Sequence, residues 1–181
     1  LRKELSEAEE YLLYQERKVA SNIIFLDMDG VLCTPRACIA AGNKGCWSYL
    51  DPIACLLLRR LCEDFDARLV ISSTWRLGDI NHLSFASILN AACPNLGTYV
   101  LRSDQEWRTP QFLEHYPDPD NRRGSEIRDW LKRNDLITKM FIILDDDSDI
   151  SPYENFHVKC DVYDGLTFQA YIKARSLLGD S

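Results

Sequence analysis

Short apolar runs alternate with longer amphipathic stretches along this chain, and that alternation constrains the fold more than any other feature. "NIIFLD" (22–27) is the first run, "RLVISS" (68–73) the second and "TYVL" (98–101) the third. "KMFIILD" (139–145) and "VKCDVY" (158–163) complete the set. Between them lie segments with helical spacing. "DPIACLLLRRLCEDF" opens with Asp51 as an N-cap candidate and Pro52 at the first helical position. "GDINHLSFASILNAAC" carries apolar residues at helical intervals, and "GSEIRDWLKRND" offers Ser125 as a cap before Ile127, Trp130 and Leu131. "GLTFQAYIKARSLL" is the last. Strands that alternate with helices predict an α/β domain with a parallel sheet covered on both faces. About five strands are expected, in a single domain over residues 21–181. Residues 2–18 read as a charged helix with Leu5, Tyr11, Leu12 and Tyr14 as its apolar positions. That segment, within 1–20, either packs on the domain or belongs to an upstream region.

A length of 181 residues suits one domain with a full core. No run of about 18 apolar residues occurs, so no membrane span is expected. The first residue is Leu and no signal-peptide pattern follows, so the chain reads as a fragment of a longer protein. Net charge is −7, which disfavours long tracking along nucleic acid. Arg102, Arg108, Arg122 and Arg123 nevertheless fall within 22 residues and form a candidate local basic patch; a solvated loop is the simpler reading. Seven cysteines without a CxxC pair fit a reducing compartment better than a disulfide framework. Cys33, Cys38 and Cys46 are spaced too irregularly for a structural zinc site.

The ends of the apolar runs carry the chemistry. In open parallel sheets, ligands bind beyond the carboxyl ends of the strands. Asp27 and Asp29 lie where the first strand ends, Ser72 where the second ends, and Asp145 and Asp146 where the fourth ends. If those strands are neighbours, the three sets converge. Several carboxylates at one place repel one another and do not all ionise without a cation. A hard divalent ion such as magnesium resolves this. Asp27 and Asp29 are two residues apart, so in a strand their side chains point the same way. One carboxylate can attack an electrophile while the other handles a proton. Gly30 lets the chain turn sharply after them.

Other readings of these residues fail on spacing. A calcium loop counted from Asp145 needs Gly at Ile150 and Glu at Phe156; counted from Asp27 it meets Val31 at position five. Cys62 and Arg68 have the CxxxxxR spacing of a cysteine phosphatase, but "CEDFDAR" sets three acids between them and no glycine. Such a loop repels a phosphate. A DxD glycosyltransferase would leave Ser72 and the acidic end of the fourth run without a role.

"FLDMDGVL" resembles the DxDG first motif of the haloacid dehalogenase (HAD) superfamily. "VISS" resembles its second motif and "FIILDDDSD" its acidic fourth, in the family's order. The resemblance implies a Rossmann-like sheet and a phosphatase. It implies Asp27 as the nucleophile that forms an aspartyl-phosphate and Asp29 as general acid, then base. It implies magnesium held by the Asp27 carboxylate, the Asp29 backbone carbonyl and Asp146, with Asp145 in support. Ser72 matches the phosphate-binding Ser/Thr, and Arg123 the third-motif cation, with Arg122 a close rival. Trp75 and Arg76 either line the site or serve the core and surface. "SSTWR", "RGSEIRDWL" and "ILDDD" are similar to a smaller HAD subgroup that includes RNA-repair domains and bacterial effector phosphatases, some of which act on phosphotyrosine.

The 40-odd residues between the first two motifs leave no room for a large cap. An open, essentially capless site fits a macromolecular substrate. A phosphorylated protein or peptide, phosphotyrosine first, is the leading expectation, with Trp47, Tyr49 or Trp107 placed to meet an aromatic ring. A polynucleotide end phosphatase is the rival enzyme, and a non-catalytic phosphate-binding scaffold the rival outside catalysis. A cytoplasmic setting is expected, or a host-cell cytosol if the chain is a delivered effector.

Overall fold

The structure is a computed structural model that describes residues 20–42, 49–101, 107–111 and 120–179. The proposed helix at 2–18, Cys46, Trp47 and Arg102 lie outside the described residues. Four strands form one parallel sheet: β1 (Ser21–Leu26), β2 (Ala67–Ile71), β3 (Thr138–Asp145) and β4 (His157–Lys159), in the order β2-β1-β3-β4. Among the described residues five helices accompany them: α1 (Pro35–Ala40), α2 (Pro52–Phe65), α3 (His82–Ala92), α4 (Arg122–Arg133) and α5 (Phe168–Gly179).

β1 is central, and its side chains divide between two cores as a period of two requires. Ile24 and Leu26 join Leu58 and Leu61 of α2, Phe85 of α3 and Ala174 of α5 on one face. Ile23 and Phe25 join Ile127 and Trp130 of α4 on the other. Phe25 meets the Trp130 ring edge-on at 5.2 Å. Burial on both faces explains why β1 is apolar at every position from Ile23 to Leu26 rather than alternating. α2 starts as the sequence implies: Asp51 accepts from the Ile53 amide at 2.8 Å, and Pro52 follows.

Among the described residues four strands form where about five were expected. "TYVL" is not a strand. Leu96–Tyr99 is a 3-10 turn, and only Val100 bridges Leu69 of β2. The reason is steric. Gly97 lies so close to α3 that a Cβ would sit 2.1 Å from the Ala86 carbonyl oxygen, and Asn95 before it has φ 69°. The chain must curl there, and the β-branched and aromatic residues that suggested a strand are overridden. "VKCDVY" pairs only as far as Lys159, because the Asp161 carboxylate caps a turn through the Tyr163 and Asp164 amides. Ser125 does not cap α4: that helix begins earlier, at Arg122, and buries Ser125 in its second turn.

Between β1 and β2 the described elements are only α1 and α2, so the described part of this span holds no cap domain. Trp107 to Thr109 lie along β2, with Ile71 N donating to Trp107 O at 2.8 Å and Thr109 N to Ile71 O at 3.0 Å. All six described cysteines are buried and none is in a disulfide. Burial pushes the Cys62 thiol well above its usual range, which excludes it as a nucleophile.

Candidate active site

Register brings the motifs together. Leu26 pairs with Ile71 on one side and Leu144 on the other. The next residues are therefore Asp27, Ser72 and Asp145, side by side at the carboxyl edge. Asp27 N donates to Leu144 O at 3.0 Å, Ser72 N to Leu26 O at 2.9 Å and Cys160 N to Asp145 O at 2.9 Å, which fixes all three. Oxygens of Asp27, Asp145 and Asp146 lie within 4.8 Å of one another. Among the described residues this is the one such grouping of possible metal ligands.

Arg123, at the start of α4, reaches into this cluster. Its Nη2 is 3.3 Å from Asp27 Oδ1 and its Nε 3.0 Å from Asp145 Oδ2. The second pair is close but misaligned, so Arg123 Nε and Asp145 Oδ2 make no hydrogen bond. Arg123 therefore acts there as a charge rather than as a directional donor. Arg122, its rival from sequence, is exposed. The loop after β3 positions Arg123: Asp149 Oδ2 accepts from Arg123 N at 3.1 Å, and the Asp149 carbonyl accepts from Gly124 N at 2.8 Å.

Asp29 stands beside this cluster. Trp75 Nε1 donates to Asp29 Oδ2 at 2.9 Å, while Asp29 Oδ1 is buried without a hydrogen-bond partner. Ser72 Oγ is also buried and unpartnered. Its neighbour Ser73 is the serine that hydrogen-bonds Asp27, and it accepts from Trp75 N at 3.3 Å. The glycine of the motif has a specific purpose. Gly30 has φ +72°, and a Cβ on it would lie 2.3 Å from Asp146 Cγ. Only a residue without a side chain lets Asp146 close against the first-motif turn.

The electrostatics follow from this crowding. Burial, and then the Asp145 carboxylate, push the Asp27 carboxyl from 3.8 up to about 7, against the pull of Arg123, Ser73 and the Met28 amide. Burial also raises Asp29, against the Trp75 hydrogen bond, and raises Asp146 with help from Asp145. Burial opposes the charge of Arg123, yet Asp145, Asp27 and Glu126 together hold its guanidinium above the usual value. One half-buried arginine thus faces more negative charge than it can balance. The donors are all hard oxygens, two carboxylate oxygens accept no hydrogen bond, and Gly30 leaves room for Asp146. This set fits a small divalent cation.

A further layer supports Arg123. Glu126 lies 3.8 Å from Arg123 Nη1 and 2.7 Å from Arg76 Nη2. Arg76 is 1% exposed, and it donates to the carbonyls of Ser72, Ser73, Thr109 and Pro110. It is thus an internal strut tying the end of β2 to the edge segment, neither a surface partner nor a substrate ligand. Ser73 and Glu126 were not evident from sequence. Trp107 is 1% exposed and packs on Phe85 at 5.6 Å, so it belongs to the core and not to a substrate surface. Tyr49 is half-buried against the core.

No curated protein and no solved structure matches the chain. A family model described as "HAD domain in Swiss Army Knife RNA repair proteins" matches residues 23–170. That span runs from β1 into α5 and contains every carboxylate of the cluster, Trp75, Arg76, Arg123 and Glu126. The chain belongs to this family of HAD domains.

Proposed function

We propose that the chain is a magnesium-dependent phosphomonoester hydrolase working through an aspartyl-phosphate on Asp27, with the terminal phosphate of a polynucleotide as its substrate. The observation that carries the chemistry is the meeting of Asp27, Asp145 and Asp146 around Arg123 at the carboxyl edge of the sheet. The family's description names RNA repair, which favours a nucleic-acid end. A phosphotyrosine substrate, the first expectation from sequence, loses one of its supports because Trp107 is in the core. A scaffold role leaves the costly cluster of buried carboxylates without a purpose.

Asp27, Asp145 and Asp146, with the Asp29 backbone carbonyl, would hold the magnesium ion. When bound, that ion supplies positive charge against the carboxylates and the phosphoryl oxygens. An Asp27 oxygen attacks phosphorus, and the bond from phosphorus to the leaving oxygen breaks. Asp29 gives its proton to that oxygen. Its Oδ1, which has no partner while Trp75 holds Oδ2, is the oxygen suited to this. Asp29 then takes a proton from water as the water oxygen attacks phosphorus, releasing phosphate and Asp27. Ser72 Oγ, buried and unpartnered, and Arg123 bind the phosphoryl oxygens.

The test compares 3′- and 5′-phosphorylated oligonucleotides with phosphotyrosine peptides. The proposal expects kcat/KM on one oligonucleotide to exceed that on the peptides by about tenfold or more. The reverse ranking would return the substrate to phosphoprotein.

A further inference from the structure

Beside the catalytic cluster, behind Arg76, lies a second cavity of about 360 Å3. Arg76, Arg108 and Arg133 line it together with Thr109, Gln111 and Trp130, and no Asp or Glu among the described residues does. In a chain of net charge −7, three arginines around one cavity stand out. We infer that this cavity binds a backbone phosphodiester of the polynucleotide whose terminal phosphate sits at Asp27, an inference that rests on the polynucleotide reading above.

The three arginines differ in what they have left to offer. Arg76 is balanced by Glu126 at 2.7 Å and bonded to four carbonyls. Arg108 donates through Nη1 to the Arg76 carbonyl at 2.6 Å, and its guanidinium lies 4.9 Å from the Trp107 ring centre. Those contacts fix its plane without neutralising it. Arg133 is exposed at the end of α4. Neither Arg108 nor Arg133 is ion-paired to a carboxylate among the described residues. Thr109 adds an independent sign of a missing ligand: the residue is 2% exposed, and its hydroxyl is buried with no hydrogen-bond partner. A buried hydroxyl in that state is costly unless something binds it. An anion accepting from one hydroxyl and two guanidinium forks satisfies all three groups.

Position selects a polymer over a lone anion. Trp130 lies seven residues beyond Arg123 on α4, which is about 10 Å along the helix axis. That separation is about three nucleotides at the ~3.4 Å rise of a helical strand and fewer if the strand is extended. A substrate with phosphates at regular intervals fills both places at once. A single phosphomonoester fills only the first.

Anisotropy of a labelled, unphosphorylated oligoribonucleotide tests the cavity without requiring turnover. Arg108→Ala, Arg133→Ala and Thr109→Val are compared with the parent protein, alongside phosphate release from p-nitrophenyl phosphate. Each arginine variant is expected to bind about tenfold more weakly, with a shallower salt dependence, while hydrolysis of the small ester is unchanged. Arg133 is a surface residue, so its variant stays informative if Arg108→Ala disturbs the edge segment. Undetectable binding by the parent, equal binding by all variants, or equal competition by an acidic peptide would each overturn the inference. If the contrast in binding holds but no phosphorylated oligonucleotide is hydrolysed, the cavity stands and the end-phosphatase reading fails.

Discussion

Gly30 is the position in the site with least tolerance for change. Its positive φ disfavours any side chain, and a methyl group there would meet Asp146. Gly30→Ala is expected to cost about 1–3 kcal/mol of stability by urea unfolding, and to weaken magnesium binding as Asp146 is pushed aside. Unchanged magnesium affinity in calorimetry would contradict that account of the motif glycine. Trp75 makes a different prediction. Trp75→Phe keeps the ring and removes the donor to Asp29. Loss of rate is expected to be about tenfold for a ribose phosphate, whose leaving oxygen needs a proton, and smaller for p-nitrophenyl phosphate. Equal loss on both esters would make Trp75 a structural residue only. At this scale the carboxylates were legible because each ends an apolar run, so strand register alone converges them. Ser73 and Glu126 were not, and Trp75 stood open between site and core, because their roles depend on how the turn after β2 folds back and how α4 is rotated. Arg123 was preferred to Arg122 only narrowly, since both sit in the first turn of one helix.

Among the elements, α4 carries the most consequence. Its first turn has no side-chain cap from Asn121; the Asp149 side chain and carbonyl, from the loop after β3, serve instead. Asp149→Ala is expected to cost about 1 kcal/mol in urea unfolding and to lower activity by loosening Arg123. A stability loss with full activity would show that Arg123 is positioned by its ion pairs alone. The Arg76 strut should be costlier to remove. Both it and Glu126 are almost fully buried, and breaking such a pair by removing one partner costs about 3–5 kcal/mol. The helix after Asp51 was legible because its cap and its proline are local signals. Ser125 misled for the opposite reason: the true start of α4 is held by a residue 26 positions away from Arg123 in sequence. "TYVL" misled because its β-forming residues lie against α3, where Gly97 allows only a tight turn.

For the molecule as a whole, the parallel sheet was legible in the alternation of runs, while its strand count and its arginine-lined cavity were not. The cavity draws Arg76, Arg108 and Arg133 from three separate segments, and no local pattern announces that. The carboxylate cluster also sets how stability depends on pH. In the metal-free fold the Asp27 carboxyl is raised to about 7, so between about pH 4 and pH 7 the native state retains a proton that the unfolded chain has lost. Stability must fall as pH rises through that window. With chelator present, Asp27→Asn is therefore expected to melt above the parent protein near neutral pH, and the gap to close towards about pH 4. A gap independent of pH would contradict the raised value. In the proposed mechanism Asp27 is the nucleophile and works with a divalent cation. Phosphate release from p-nitrophenyl phosphate, with and without magnesium, by the parent protein and by Asp27→Asn tests this. Turnover that needs magnesium and disappears in the variant is expected. Turnover that survives in folded Asp27→Asn, or that is indifferent to magnesium in the parent, would contradict it.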